Sequence, residues 1–352
     1  MPASPFHFLL ILGRYAGENY VTEGWTGMPN IWMHLEYGQQ LAGELQGEFA
    51  CLADVKTRPE LYQLGCQGPD ILLYHSFLPW QKEARALRLG DDMHTESCGP
   101  VLTEFWERTL ALPDGERLEA QQYFLGFITH HLLDRNLHPY INWKAGYQHR
   151  NHQRFEIVLD TLFMKSLKQI NTWQHAAWKQ INVGSHLPFT VHSILHETAS
   201  RWYPETGRLP AEIWDEAYLD MLLAHKLLFD PKGWKKSLLR GKALRLFSQP
   251  LSPAEEQLDY LNEKHGEWRH SALYSEVRTK SVWDLWEQAL AEGRTVLRAL
   301  AAWLNSTSPA EAARALEHFR LVLGDRSYDT GKDCSSRLKN LYAEPIWEAG
   351  IS

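Results

Sequence analysis

The chain has 352 residues, 44% hydrophobic and 22% charged, a composition that fits an ordinary globular protein and excludes a disordered, collagenous or disulfide-scaffold chain. Its length allows one large domain or two smaller ones. With 36 Lys and Arg against 43 Asp and Glu the formal charge is -7, so there is no global basic field to draw in a phosphate backbone, and any nucleic-acid role has to be local.

Residues 1–27 carry no regular pattern, because Gly13, Gly17, Gly24 and Gly27 break any period. The apolar run from Phe6 to Leu12 is short, is interrupted by His7 and has no Lys or Arg before it, so it does not read as a signal peptide. No later segment reaches the roughly 18 uninterrupted apolar residues of a membrane span, and a cytoplasmic location is the expectation. A regular pattern opens at Met28, which makes residues 1–27 a poorly patterned extension and Met28 a candidate translation start. Cys51, Cys66, Cys98 and Cys334 contain no Cys-x-x-Cys pair. They read as buried thiols, with neither a thiolate zinc knuckle nor a redox dithiol indicated.

From Trp32 onward the sequence predicts helices separated by Pro and Gly, with few β-branched residues and no sustained two-residue alternation. The spacing predicts a helix over Ser281 to Leu304, where Val282, Leu285, Trp286, Ala289 and Leu290 fall on one stripe. Ser252-Pro253-Ala254-Glu255 and Ser308-Pro309-Ala310-Glu311 each place a cap hydroxyl, a first-turn Pro and a Glu that can reach back, so both are expected helix starts. Leu209-Pro210-Ala211-Glu212 starts another. The 15 Trp, among them Trp80, Trp106, Trp214, Trp234, Trp268 and Trp286, mostly sit at helix-core spacing and are expected to pack.

The 17 His become informative only through spacing. His130, Asp134 and His138 follow one another at intervals of four, so on a helix each turns by about 40° and advances by roughly 6 Å. They form a polar ladder on an apolar helix. Its ends lie roughly 12 Å apart, too far for His130 and His138 to bind one ion through metal–nitrogen bonds of about 2 Å. His152, Glu156 and Asp160 form a second row, directed away from Phe155, Val158 and Leu159. Facing helices that offer inward His and carboxylates are a common way to hold two metals. Imidazole with carboxylate and no thiolate suits zinc among several divalent ions. His131 points about 100° off the ladder and is expected to pack or hydrogen-bond, and His192 and His196, with no acidic partners near in sequence, read as structural.

Five motifs stand in order: Met28-Pro29-Asn30-Ile31-Trp32-Met33-His34, Gly65-Cys66-Gln67-Gly68-Pro69-Asp70, Met93-His94, His130-His131-Leu132-Leu133-Asp134 with His138-Pro139, and His152-Gln153-Arg154-Phe155-Glu156. Together they resemble the zinc-dependent phospholipase C family, whose fold is an all-α bundle and whose relatives include single-strand-specific zinc nucleases. The resemblance implies an all-α multi-helix bundle with residues 28–160 as its metal-binding region, and the shift near residue 161 from spaced His and acidic residues to Trp- and Leu-rich helices makes 161–352 an additional helical part. It implies two or three zinc ions. Asp70, His94, His130 and Asp134 would hold the first, His138, His152 and Glu156 the second, and His34 with the bridging Asp134 the third. In the secreted members the third zinc also takes the amino group and carbonyl of an N-terminal Trp, whereas here Trp32 is internal. His138 also follows Asp134 more closely than in those enzymes. His75 and His149 are rival ligands, and His152 is preferred over His149 because it alone has Glu at i+4.

The activity implied is hydrolysis of a phospholipid or soluble phosphodiester by a zinc-dependent hydrolase, with Asp70 orienting or deprotonating the attacking water and Asp160 supporting a ligand from behind. Bound zinc would offset the acidic charge locally. Two other readings stand beside it. A single-strand nuclease or nucleotide phosphohydrolase shares the fold but lacks a basic, aromatic-interleaved groove; a non-catalytic metal-binding scaffold fits the internal Trp32 and the long part after residue 160.

Overall fold

The computed structural model describes residues 31–53, 55, 59–78, 84–148, 150–235 and 250–347. The expected N-terminal extension, residues 28–30 of the first motif, Trp80 and His149 lie outside them. In chain order the helices are α1 (Trp32–Leu45), α2 (Glu60–Gly65), α3 (Arg85–Thr95), α4 (Cys98–Leu110), α5 (Asp114–Ala145), α6 (Asn151–Lys168), α7 (Phe189–Trp202), α8 (Ile213–Leu228), α9 (Val282–Leu304) and α10 (Pro309–Leu323). A seven-residue 3-10 turn, Gly68–Tyr74, follows α2. The protein is mostly helical, as the sequence predicts.

The 32-residue α5 is the axis of the bundle. From Tyr123 to Trp143 its residues are buried, polar ones included, because α1, α2, α4, α6, α7 and α9 all pack around it. A helix apolar on most sides is stable only when covered in this way. Its N-terminal half is held by aromatic packing, with the Phe105 and Phe124 rings stacked at 4.6 Å. Its C-terminal half keeps its course through Pro139. None of the described helices is long and apolar enough to cross a membrane.

The α9 helix starts as expected: the Ser281 hydroxyl accepts the Asp284 N–H and the Asp284 carboxylate accepts the Ser281 N–H, a reciprocal cap. Val282, Leu285, Trp286, Ala289 and Leu290 are all buried. Ser308 caps α10, although Glu311 reaches back to the N–H of Thr307 and not of Ser308. The Ser252 start is a correction. Its hydroxyl and amide do meet Glu255, but only a 3-10 turn, Glu255–Gln257, follows. Glu255 is pulled to Arg154 on α6 at 2.6 Å, and no apolar stripe follows to bury a helix there.

The other departure from the expected helices is an antiparallel hairpin, β1 (Trp268–His270) and β2 (Leu273–Arg278), with a bulge between Arg269 and His270. These strands are too short for a two-residue period to show. Trp268 anchors the hairpin on α5, edge-on to Tyr140 at 5.2 Å. Most Trp side chains do pack, Trp106, Trp214 and Trp268 completely, whereas Trp234 is 46% exposed.

Candidate metal centre

The eight residues singled out in the sequence converge from five elements. His34 comes from the first turn of α1, Asp70 from the 3-10 turn, His94 from the end of α3, His130, Asp134 and His138 from α5, and His152 and Glu156 from α6. They fall into three groups whose ligand atoms lie within 4.8 Å of one another: Asp70, His94 and His130; His34, His130 and Asp134; His138, His152 and Glu156. The ladder thus puts its two ends, His130 and His138, in different groups. Asp134 lies between all three, with Oδ2 2.9 Å from His130 Nε2 and Oδ1 at 3.3 Å from His34 Nε2 and 3.4 Å from His138 Nε2.

Local backbone chemistry sets this up. Gly68 has φ +52, and a Cβ there would fall 2.4 Å from the His130 ring, so glycine both permits the left-handed turn and lets the imidazole lie against the backbone. The turn delivers Asp70, whose Oδ1 is 3.0 Å from His94 Nε2 and Oδ2 3.6 Å from His130 Nε2. The rings of His34 and His130 stack at 4.2 Å.

Three imidazoles are oriented from behind. Nδ1 of His94 donates to the Gly90 carbonyl at 2.7 Å, that of His130 to the Cys66 carbonyl at 3.1 Å and that of His152 to Asn142 Oδ1 at 3.1 Å. Oxygen acceptors at Nδ1 fix the proton there and leave the Nε2 lone pair facing inward, the arrangement a metal-binding His requires. Those lone pairs then meet carboxylate oxygens, and two acceptors cannot satisfy each other. His130 Nε2 and Asp134 Oδ2 accordingly approach closely while both are buried with no hydrogen-bond partner. A second proton at Nε2 or a cation resolves the conflict, and the nitrogen and oxygen donor set suits zinc.

The electrostatics point the same way. Burial alone would lower His94, but Asp70, with Asp329 and Asp134 nearby, holds it up to about 9. Burial likewise opposes the charged forms of His130 and His138, and Asp134 still raises both. Glu156 would be raised by burial, but His152 and His138 hold it at about 2. The cluster's field is negative and favours positive charge. Only His34, buried and beside His130, is pushed down, to about 4.

Several expectations are placed differently. Asp160 touches no ligand side chain; its carboxylate accepts the Trp32 and Met33 amides at 2.6 and 2.9 Å and so caps the turn of α1 that carries His34. The Trp32 nitrogen is therefore a peptide donor engaged by Asp160. His75, the rival ligand, faces Glu216 at 3.2 Å and joins none of the three groups. His131 donates to the Arg326 carbonyl at 2.7 Å, and His192 to that of Ala211 at 2.8 Å.

One part of the site has no counterpart in the sequence reading. The segment 325–340 folds over the cluster and, with Asp70, His94, His138, His152 and Glu156, lines a cavity of about 1060 Å³. Tyr328 N–H and Ser327 Oγ both donate to the His94 carbonyl, at 2.9 and 3.1 Å. The Tyr328 ring packs on His94 and His131, at 5.0 and 4.4 Å, and Asp329 Oδ1 stands 3.5 Å from His138 Nδ1. Ser-Tyr-Asp-Thr-Gly has no helical period and lies far along the chain from the ligands, so nothing local marks it.

The bundle gathers five imidazoles and three carboxylates into three adjoining groups, five of the eight residues lining one cavity, a donor set with the chemistry to hold metal ions. Residues 33–205, just under half of the chain, match the family model described as zinc dependent phospholipase C, and over this segment the chain is similar to that family. The match runs beyond the motifs through α7 and ends before Tyr328 and Asp329. No curated protein and no solved structure matches the chain.

Proposed function

We propose that the protein is a zinc-dependent phosphodiester hydrolase that cuts the head group from a phospholipid or cleaves a small soluble phosphodiester. The observation that carries this reading is the convergence of three His and carboxylate groups around the single carboxylate of Asp134. Zinc held by the eight residues would supply Lewis acidity and positive charge for the phosphoryl oxygens. Asp134, reaching toward all three groups, sets their relative positions. Asp70 lines the cavity with its carboxylate directed at His94 and His130, which suits it to orient the attacking water and accept its proton as the alcohol leaves the phosphorus. The cavity wall also carries Asp91, Asp92, Asp325 and Asp333 with Arg337 and Lys339, a mixed lining without the run of basic and aromatic side chains that tracks a polynucleotide backbone.

We also read residues 28–160 as the metal-binding region and 161–352 as the part that walls the cavity. That division is one of roles, since α6 crosses it unbroken from Asn151 to Lys168.

The purified chain should contain two or three zinc ions and hydrolyse phosphatidylcholine vesicles or a p-nitrophenyl phosphodiester in preference to single-stranded DNA, with activity lost on chelation and restored by zinc. Asp134→Ala should abolish turnover and lower the zinc content. A folded, zinc-loaded wild-type chain with no activity on any of these substrates would overturn the proposal.

A further inference from the structure

The eight residues of the centre include no thiol, yet two of the four cysteines meet. Cys98 is the first residue of α4 and Cys334 lies on the segment over the cavity; their Sγ atoms are 3.6 Å apart although 236 positions separate them in sequence. Asp325 brings a carboxylate oxygen within 4.8 Å of both sulfurs.

This juxtaposition is built. The Cys334 N–H donates to the Asp325 carbonyl at 2.9 Å, and Arg326 pairs with Asp333 in an antiparallel bridge, so Asp325 and Cys334 stand side by side at the neck of the loop. The Gly99 N–H donates to Asp325 Oδ1 at 3.0 Å, which seats that neck on the head of α4. A Cβ at Gly99 would lie 2.2 Å from the Gly324 carbonyl oxygen, so only glycine allows the approach. Cys98 is buried, whereas Cys334 is partly exposed and, with Asp325, lines the cavity, leaving a path for an ion.

The spacing separates two chemistries. Two sulfurs bound tetrahedrally to one ion at about 2.3 Å stand roughly 3.7 Å from each other, close to the separation found. A disulfide has a bond of about 2.05 Å and requires the atoms to close by roughly 1.5 Å. We propose that Cys98, Asp325 and Cys334 bind a thiophilic divalent cation of the zinc class, and that this ion staples the loop bearing Tyr328 and Asp329 to the head of α4. Thiolate with carboxylate selects such an ion over magnesium or calcium, and because burial, with Cys334 and Asp325 beside it, pushes the Cys98 thiol well up, it is the ion that must displace that proton. As the ion binds, both thiols release their protons to solvent. The cavity supplies water to complete the coordination. The inference stands apart from the hydrolase reading, because none of its three residues belongs to the His and carboxylate groups.

The experiment counts zinc on the intact wild-type chain before and after titration with an organomercurial, which takes sulfur-bound zinc and spares zinc on imidazole and carboxylate. One equivalent should be released. Cys334→Ser should carry one zinc fewer and release none, with its circular dichroism unchanged. Should that variant fail to fold, cadmium-loaded wild type should show ultraviolet sulfur-to-metal charge transfer that the mercurial abolishes. Titration of the thiols without zinc release, an intact mass two hydrogens short, or cadmium loading without the charge-transfer band would overturn the proposal. Absence of phosphodiesterase activity would not touch it.

Discussion

Asp329 offers the sharpest test of how the centre is assembled. Its carboxylate faces His138 Nδ1 at 3.5 Å, the position that made hydrogen bonds to carbonyl and amide oxygens occupy at His94, His130 and His152, and on that placement it is expected to favour the Nδ1–H tautomer. Removing such a supporting partner typically costs 10- to 100-fold in metal affinity. A separation of 3.5 Å exceeds the roughly 2.7–3.2 Å of a well-made bond, so Asp329→Ala should fall at the low end, about tenfold or ~1.4 kcal/mol. Asp329→Asn keeps an acceptor oxygen while removing the charge, and should cost about threefold or less, ~0.7 kcal/mol. Neither change should free the loop, which is held independently by Tyr328 and Ser327 on the His94 carbonyl and by His270 on the Thr330 carbonyl. The assay is competition for zinc with a chelator of known affinity, alongside kcat/KM for a phosphodiester. The weakening should be confined to the ion of the His138, His152 and Glu156 group. Wild-type affinity for every ion in Asp329→Ala would refute the reasoning.

Three further outcomes follow from local chemistry. His270 is buried and neutral, with Nδ1 accepting the Ala272 N–H and Nε2 donating to the Thr330 carbonyl; burial, aided by Arg278, lowers it from 6.5 to about 4. Because the folded value is the lower one, its contribution is intact above about pH 6.5 and is lost as the pH falls toward 4, by on the order of 3 kcal/mol; urea unfolding across that window should show the loss, and His270→Gln should flatten it. Gly68→Ala forces a left-handed backbone on a non-glycine residue and a clash with His130, so it should destabilise by about 2–5 kcal/mol and deplete bound zinc, checked by denaturant titration and metal analysis. Ser281→Ala removes a true helix cap and should cost about 1 kcal/mol in thermal or urea unfolding. Ser252→Ala, whose turn opens no helix, should cost less than half of that.

The convergence of the candidate metal ligands was legible because a helix converts sequence interval into direction. His130, Asp134 and His138 fall on one face whatever packs around them, and the same geometry joins His152 to Glu156. The stripe of α9 and its Ser281 cap were readable for the same reason: both are set by residues within a few positions of each other. Ser252 shows the limit of such reading. Its cap forms locally, with Glu255 shared between Ser252 and Arg154, but a helix also needs an apolar face to bury, and none follows.

The sequence alone thus determined a mostly helical chain and eight residues with the chemistry to hold zinc. Tertiary structure decided how those residues are shared, that His75 turns to Glu216, and that Asp160 serves a helix end. It also decided what completes the site. Asp329, Tyr328 and the meeting of Cys98 with Cys334 depend on an irregular loop returning across more than 180 residues to α5 and α4. Such contacts have no period along the chain, since they are fixed by backbone bonds to the His94 carbonyl and by the space left at Gly99, and only the folded bundle brings those groups together.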